Sequence, residues 1–182
     1  SQAIKDYTDA LTNEAYDEYD IREAKIALHN RCTALFKIEE IEEGIKDCKK
    51  ILEIEPTYAG PHMNLAAIYF YRRNNAEEAL YHLNKVLELN PAEISAYALR
   101  SDIYFNQGKY QEAISDFSEI LKRDPNDKNW FLRRALTYIT LQKYPEAIED
   151  FSSYLKLEPN SQKAYIERAL AYVALRKYRE AI

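Results

Sequence analysis

ISAYALRSDIYFNQGKYQEAISDFSEILKRDPND, residues Ile94–Asp127, is the stretch on which the fold turns. Its apolar and small residues fall at helical spacing in two blocks, with Tyr97, Leu99 and Tyr104 in the first and Ala113, Phe117, Ile120 and Leu121 in the second. Between them FNQGKY forms a polar break where Gly108 can supply the turn, and Pro125 closes the second block. The stretch predicts helix, turn, helix.

The same pattern recurs along the chain. Gly44, Ala79, Ala113, Ala147 and Ala181 stand at steps of 35, 34, 34 and 34 residues, and Pro56, Pro91, Pro125 and Pro159 keep the same beat. A fixed period of this length marks stacked supersecondary units, so the chain is expected to be an all-α solenoid and not a globule. Small residues at Ala67, Ser101, Ala135 and Ala169 are expected to face the periodic alanines where two helices cross closely, because larger side chains would wedge the hairpin open.

This arrangement resembles the tetratricopeptide repeat (TPR) family, whose pattern is an aromatic, a small residue and a Tyr in the first helix, Ala and Phe in the second, and then Pro. The match runs through Tyr97, Ser101, Tyr104, Ala113, Phe117 and Pro125, then Phe131, Ala135, Tyr138, Ala147, Phe151 and Pro159, and on through Tyr165, Ala169, Tyr172 and Ala181. Two weaker copies precede these, carrying Met63, Ala67, Phe70, Ala79, Leu83 and Pro91, and Leu28, Cys32, Leu35, Gly44, Cys48 and Pro56. The resemblance implies a right-handed α-α superhelix with four full repeats over 25–58, 60–93, 94–127 and 128–161, and a truncated fifth over 162–182. Residues 1–13, with Ala3 and Tyr7 in motif slots, are expected to be the second helix of a partial repeat, and 14–24 an acidic connection whose carboxylates suit a helix start. With no Met before Ser1 and no polar capping unit at either end, the sequence is expected to be a fragment of a longer polypeptide.

Arg31 with Asp47, Arg100 with Asp116, and Arg134 with Asp150 recur at a separation of 16 residues, which reads as an ion pair across each hairpin. The copy between has Ala66 and His82, losing both partners together.

Composition narrows the function. Twenty-five basic residues against 30 acidic ones, with Lys/Arg clusters no larger than pairs, argue against nucleic acid as a partner. No run of about 18 apolar residues exists to span a membrane. Cys32 and Cys48 should lie near each other inside one hairpin, close enough for a disulfide; with no other cysteine in the chain they read rather as buried free thiols in a reducing compartment, cytoplasm or nucleus. Three glycines cannot assemble a dinucleotide or phosphate loop, and His29, His62 and His82 lie on different helices without ligand spacing. Neither a metal, a cofactor nor a catalytic constellation is expected; Glu42-Glu43 and Glu77-Glu78 fit helix starts better than a catalytic pair.

What remains is surface. In the family the first helices line a groove, and its positions map by resemblance onto Asn64, Ile68, Tyr71 and Arg72, then Ala98, Asp102, Phe105 and Asn106, then Leu132, Arg133, Leu136, Ile139 and Thr140, and finally Ile166, Leu170 and Val173. Tyr71, Phe105, Ile139 and Val173 are expected to pack between repeats. The lining turns apolar toward the C-terminal repeats, which suits an amphipathic helix or an apolar extended segment. Self-association, filling of the groove by the same polypeptide, and contacts on the convex face built from the second helices are the alternatives.

Two sharper readings fail on their own residues. Asn30 matches an asparagine of the carboxylate clamp in chaperone-binding repeats, but Pro61 and Leu65 stand where a Lys and an Arg are needed. An asparagine ladder like that of sugar-transferring enzymes would fall on Asn30, Leu65, Leu99, Arg133 and Glu167, and holds one asparagine. The sequence therefore predicts a non-catalytic protein-interaction scaffold, with a regulatory or targeting region of a larger enzyme or co-chaperone as the alternative.

Overall fold

The structure is a computed structural model that describes residues 22, 23, 26, 29–33 and 41–176. The expected opening helix and most of the acidic connection, with Leu28, Leu35 and Ala181, lie outside the described residues. After a helical stretch over residues 29–33 come α1 (Ile41–Ile54), α2 (Ala59–Tyr71), α3 (Ala76–Leu89), α4 (Ile94–Asn106), α5 (Tyr110–Arg123), α6 (Lys128–Thr140), α7 (Tyr144–Leu157) and α8 (Gln162–Ala174). Among the described residues all regular structure is helical. The chain forms two compact units, Ser1–Ala96 and Tyr97–Ile182.

The helices alternate between 13 and 14 residues, and their ends follow from chemistry repeated at the same beat. Pro56, Pro91, Pro125 and Pro159 each stand two residues beyond a 14-residue helix, where a ring without an N–H cannot continue the ladder. Inside the hairpins the turn is made by one left-handed residue: Asn74, Gly108, Gln142 and Arg176 have φ of 49°, 71°, 57° and 59°. The backbone then closes over the helix end, with Lys109 N–H donating to Tyr104 O at 2.9 Å and Lys143 N–H to Tyr138 O at 2.9 Å. Gly108 is the expected turn residue; the other three adopt the same conformation with side chains that resist it.

In the first unit α2 packs antiparallel to α3, and α1 lies beside α2. Its core gathers Cys32, Ile45, Cys48, Leu65 and Ile68, with Ile41, Leu52 and Tyr69 packed around them. In the second unit α6 pairs with α7, flanked by α5 and α8. Ala135, Ala147, Phe151, Tyr154, Leu155 and Ala164 form its core. Ala79, Ala113 and Ala147 are fully buried, as are Ser101 and Ala135, while Ala67 and Ala169 are half-buried, so the small residues line the interior fully in the middle repeats and only partly in the first and last.

The ion pairs expected across the hairpins are present. Arg100 donates from Nε and Nη2 to the two oxygens of Asp116 at 2.9 and 2.7 Å, and Arg134 does the same to Asp150 at 2.7 Å each. Burial pushes the Asp116 carboxyl above the ordinary carboxylate range, and Arg100 pulls it back down. Arg31 meets Asp47 more loosely, with Nε 3.2 Å from Oδ2 and no aligned hydrogen bond to either oxygen among the described residues.

One expectation is corrected here. Cys32 and Cys48 are joined by a disulfide. Their slots face each other where the helices cross, with Cα atoms 5.8 Å apart, inside the range a disulfide spans. The reading of two free thiols, and with it the ground for a reducing compartment, does not hold. Among the described residues no helix is long and apolar enough to cross a membrane.

Candidate functional site

The expected contact positions fall into three physical situations. In the first unit, Asn64 is half-buried on α2 and its Nδ2 donates to Thr33 Oγ1 at 2.9 Å, so the amide ties two helices together. Ile68, one turn further along, is fully buried in the core and offers a partner no surface. Its place in the expected groove is corrected on that ground. Tyr71 and Arg72, at the end of α2, are exposed; the Tyr71 ring lies tilted against Phe70, with centroids 4.9 Å apart.

In the second unit the polar positions satisfy each other. Arg133 on α6 pairs with Asp102 on α4, and its guanidinium also lies over the rings of Phe117 at 5.1 Å and Trp130 at 5.2 Å. A charge held between a carboxylate and two aromatic faces is a brace between helices. Ala98 is half-buried and its carbonyl accepts from Ser101 Oγ at 2.7 Å. Phe105 and Asn106 are exposed at the end of α4, with Phe105 edge-on to Tyr110 at 5.3 Å.

The apolar positions divide by helix. Leu132, Leu136 and Ile139 on α6 are half-buried and pack on the core of the second unit, while the exposed Thr140 turns its hydroxyl to Leu136 O at 3.1 Å. On α8, Ile166, Leu170 and Val173 are 60%, 58% and 45% exposed. Their spacing of four and then three residues places all three on one helix face. Tyr165 beside them is also exposed and carries the Arg168 guanidinium over its ring at 5.4 Å. Tyr71 and Phe105, expected to pack between repeats, are exposed instead, and Ile139 packs on the core of the second unit.

Sequence reasoning missed one cluster. His62 on α2 and His82 on α3 are buried, and their Nδ1 atoms stand 2.8 Å apart. His82 occupies the register of Asp47, Asp116 and Asp150, so the hairpin that lacks the Arg/Asp pair holds a histidine pair instead. The signal was present in the aspartate register, but the partner lies 20 residues away and not 16. Among the described residues no group of three or more metal-ligating side chains converges.

The tetratricopeptide repeat pattern matches residues 64–128 and 132–182, more than half of the sequence, and the chain belongs to that family. Solved structures agree in fold. A crystal structure of MamA superposes with a TM-score of 0.74 at 19% identity, covering 86% of this chain and 85% of MamA. A second MamA structure gives 0.75 at 18% identity, covering 90% and 87%. YrrB, described as a TPR protein with an unusual peptide-binding site, gives 0.73 at 16% identity, covering 98% of this chain and 87% of YrrB. At these identities the likeness is one of fold. No curated protein matches the sequence.

Proposed function

We propose that this chain is a non-catalytic protein-interaction module that holds a partner segment against the first helices of its repeats, with the α8 face as the principal contact. The observation that carries the reading is the row Ile166, Leu170 and Val173, three large apolar side chains exposed together on one helix face. Each side chain is about half exposed, so a partner that covers the row gains on the order of 1 kcal/mol per side chain, about half the value for full burial. The matching ligand is an amphipathic helix or an extended apolar segment. That YrrB, of the same fold, is described with a peptide-binding site supports the choice of a peptide.

The test is direct. Amphipathic peptides selected by display against the chain are measured by calorimetry against wild type and Leu170→Glu. Loss of affinity by about tenfold or more in the variant, with unchanged helicity, is the expected result, since an apolar anchor contributes on the order of 1–3 kcal/mol. Equal affinity with an intact fold removes the α8 face from the reading.

A further inference from the structure

The pair of imidazoles between α2 and α3 does something that the ion pairs of the neighbouring hairpins do not. His62 Nε2 lies 3.3 Å from the carbonyl of Pro56, which accepts and does not donate, so that nitrogen carries a proton. In the neutral ring its Nδ1 is then the acceptor, and His82 Nδ1–H donates to it at 2.8 Å. The His82 ring is held flat against Tyr69, with centroids 5.7 Å apart and planes 6° from parallel, and Tyr81 meets it edge-on. Each neutral ring thus has its place, and one proton lies between the two.

We propose that this histidine pair makes the α2/α3 hairpin an acid-sensitive latch, closed while the two rings share a single proton at their facing nitrogens and released when the pair takes up more. One added proton places a positive charge on a buried ring, and a second sets two N–H donors head to head across 2.8 Å. The surrounding charges oppose uptake. Lys49 on α1 acts on His82, Lys85 on α3 acts on His62, and Glu88 on α3 is the carboxylate that favours the charged form. A cavity of about 430 Å³, lined by Leu52, Pro56, His62, Tyr81, His82 and Leu89 among others, gives water a route to the rings.

The direction follows from proton counting. Burial, reinforced by His62 and Lys49, pushes His82 down to about 4, and burial lowers His62 against the Pro56 carbonyl, whose hydrogen bond favours the charged ring. Below the ordinary imidazole value of about 6.5 and above the depressed folded values, the open form binds more protons than the closed one, so stability of the hairpin falls as pH falls below about 6.5. Above about 6.5 the contribution is complete.

The experiment follows amide hydrogen exchange and the histidine ring resonances of the full chain from about pH 7.5 to about pH 5, each rate corrected for its intrinsic pH dependence. A His29→Gln background removes the third histidine, which lies beside Tyr58. Protection in α2 and α3 should fall by at least about tenfold, while α6 and α7, which contain no histidine, hold theirs. The ring signals of His62 and His82 in the folded chain should not titrate near 6.5. His82→Asn, whose amide can still meet His62 Nδ1, removes the His82 share and should reduce the loss in α2 and α3 to that of His62 alone. The proposal is overturned if either ring titrates near 6.5 in the folded chain with protection unchanged, if α6 and α7 lose protection equally, or if His82→Asn shows the full wild-type acid loss. The ring titration of the wild-type pair decides the matter even if the variant does not fold.

Discussion

Arg134 Nη1 donates to Ser118 Oγ at 2.8 Å, so the guanidinium that grips Asp150 inside its own hairpin also reaches back to the helix before it. One side chain thereby fastens α5, α6 and α7. The next register repeats the backward link, with Arg168 Nη1 on Ser152 Oγ at 3.0 Å. Each unit of a stacked fold is too small to be stable alone, and contacts of this kind couple it to its neighbour.

Removing one partner of the brace should therefore cost more than one hairpin's worth of stability. Asp150→Ala leaves Arg134 without its carboxylate; the Arg134 side chain is 19% exposed, so water softens the penalty. A loss of about 3 kcal/mol in urea denaturation is expected, the low end for a broken buried pair. Ser118→Ala should cost about 1.5 kcal/mol. The two losses should fail to add, because both side chains meet the same guanidinium.

The left-handed turn residues give a pair of opposite predictions. A Cβ at Gly108 would meet nothing within 4 Å, so Gly108→Ala acts through φ of 71° alone and should cost about 1 kcal/mol. Gln142→Gly places the permissive residue where a strained one stands and should stabilise by up to about 1 kcal/mol. Thermal and urea midpoints of the two variants should move in opposite directions.

The disulfide closes a segment of 16 residues between Cys32 and Cys48. Reduction, or Cys32→Ser with Cys48→Ser, should lower stability by about 3 kcal/mol, the chain-entropy value for a loop of this size. Denaturation with and without a thiol reductant checks it, and an unchanged midpoint would show that the bridge contributes little.

Much of this was legible in the chain because one register carries it. The alanine and proline beats fix helix pairs, and the Arg/Asp separation places partners on facing helices, which Arg100–Asp116 and Arg134–Asp150 meet with two hydrogen bonds each. Exposure was not legible, since it depends on what lies opposite and not on register. Ile68, Asp102, Leu136 and Leu170 share one position of the repeat, yet Ile68 is fully buried, Asp102 and Leu136 half-buried and Leu170 exposed. The histidine pair escaped for a related reason: His82 sits in the aspartate register, but its partner sits one helical turn before the arginine register, where the pattern expects nothing. The turns at Asn74 and Gln142 were hidden because a left-handed backbone is predicted from glycine and these residues are not glycine.

The central claim is that the exposed face of α8 is where a partner docks. Methyl-resolved NMR of the chain titrated with a selected amphipathic peptide tests it most directly. The account predicts saturable shifts at Ile166, Leu170 and Val173 ahead of all other methyl groups. Saturable binding that leaves those three unmoved and shifts methyls of the second helices, such as Ile114 or Ile148, would contradict it.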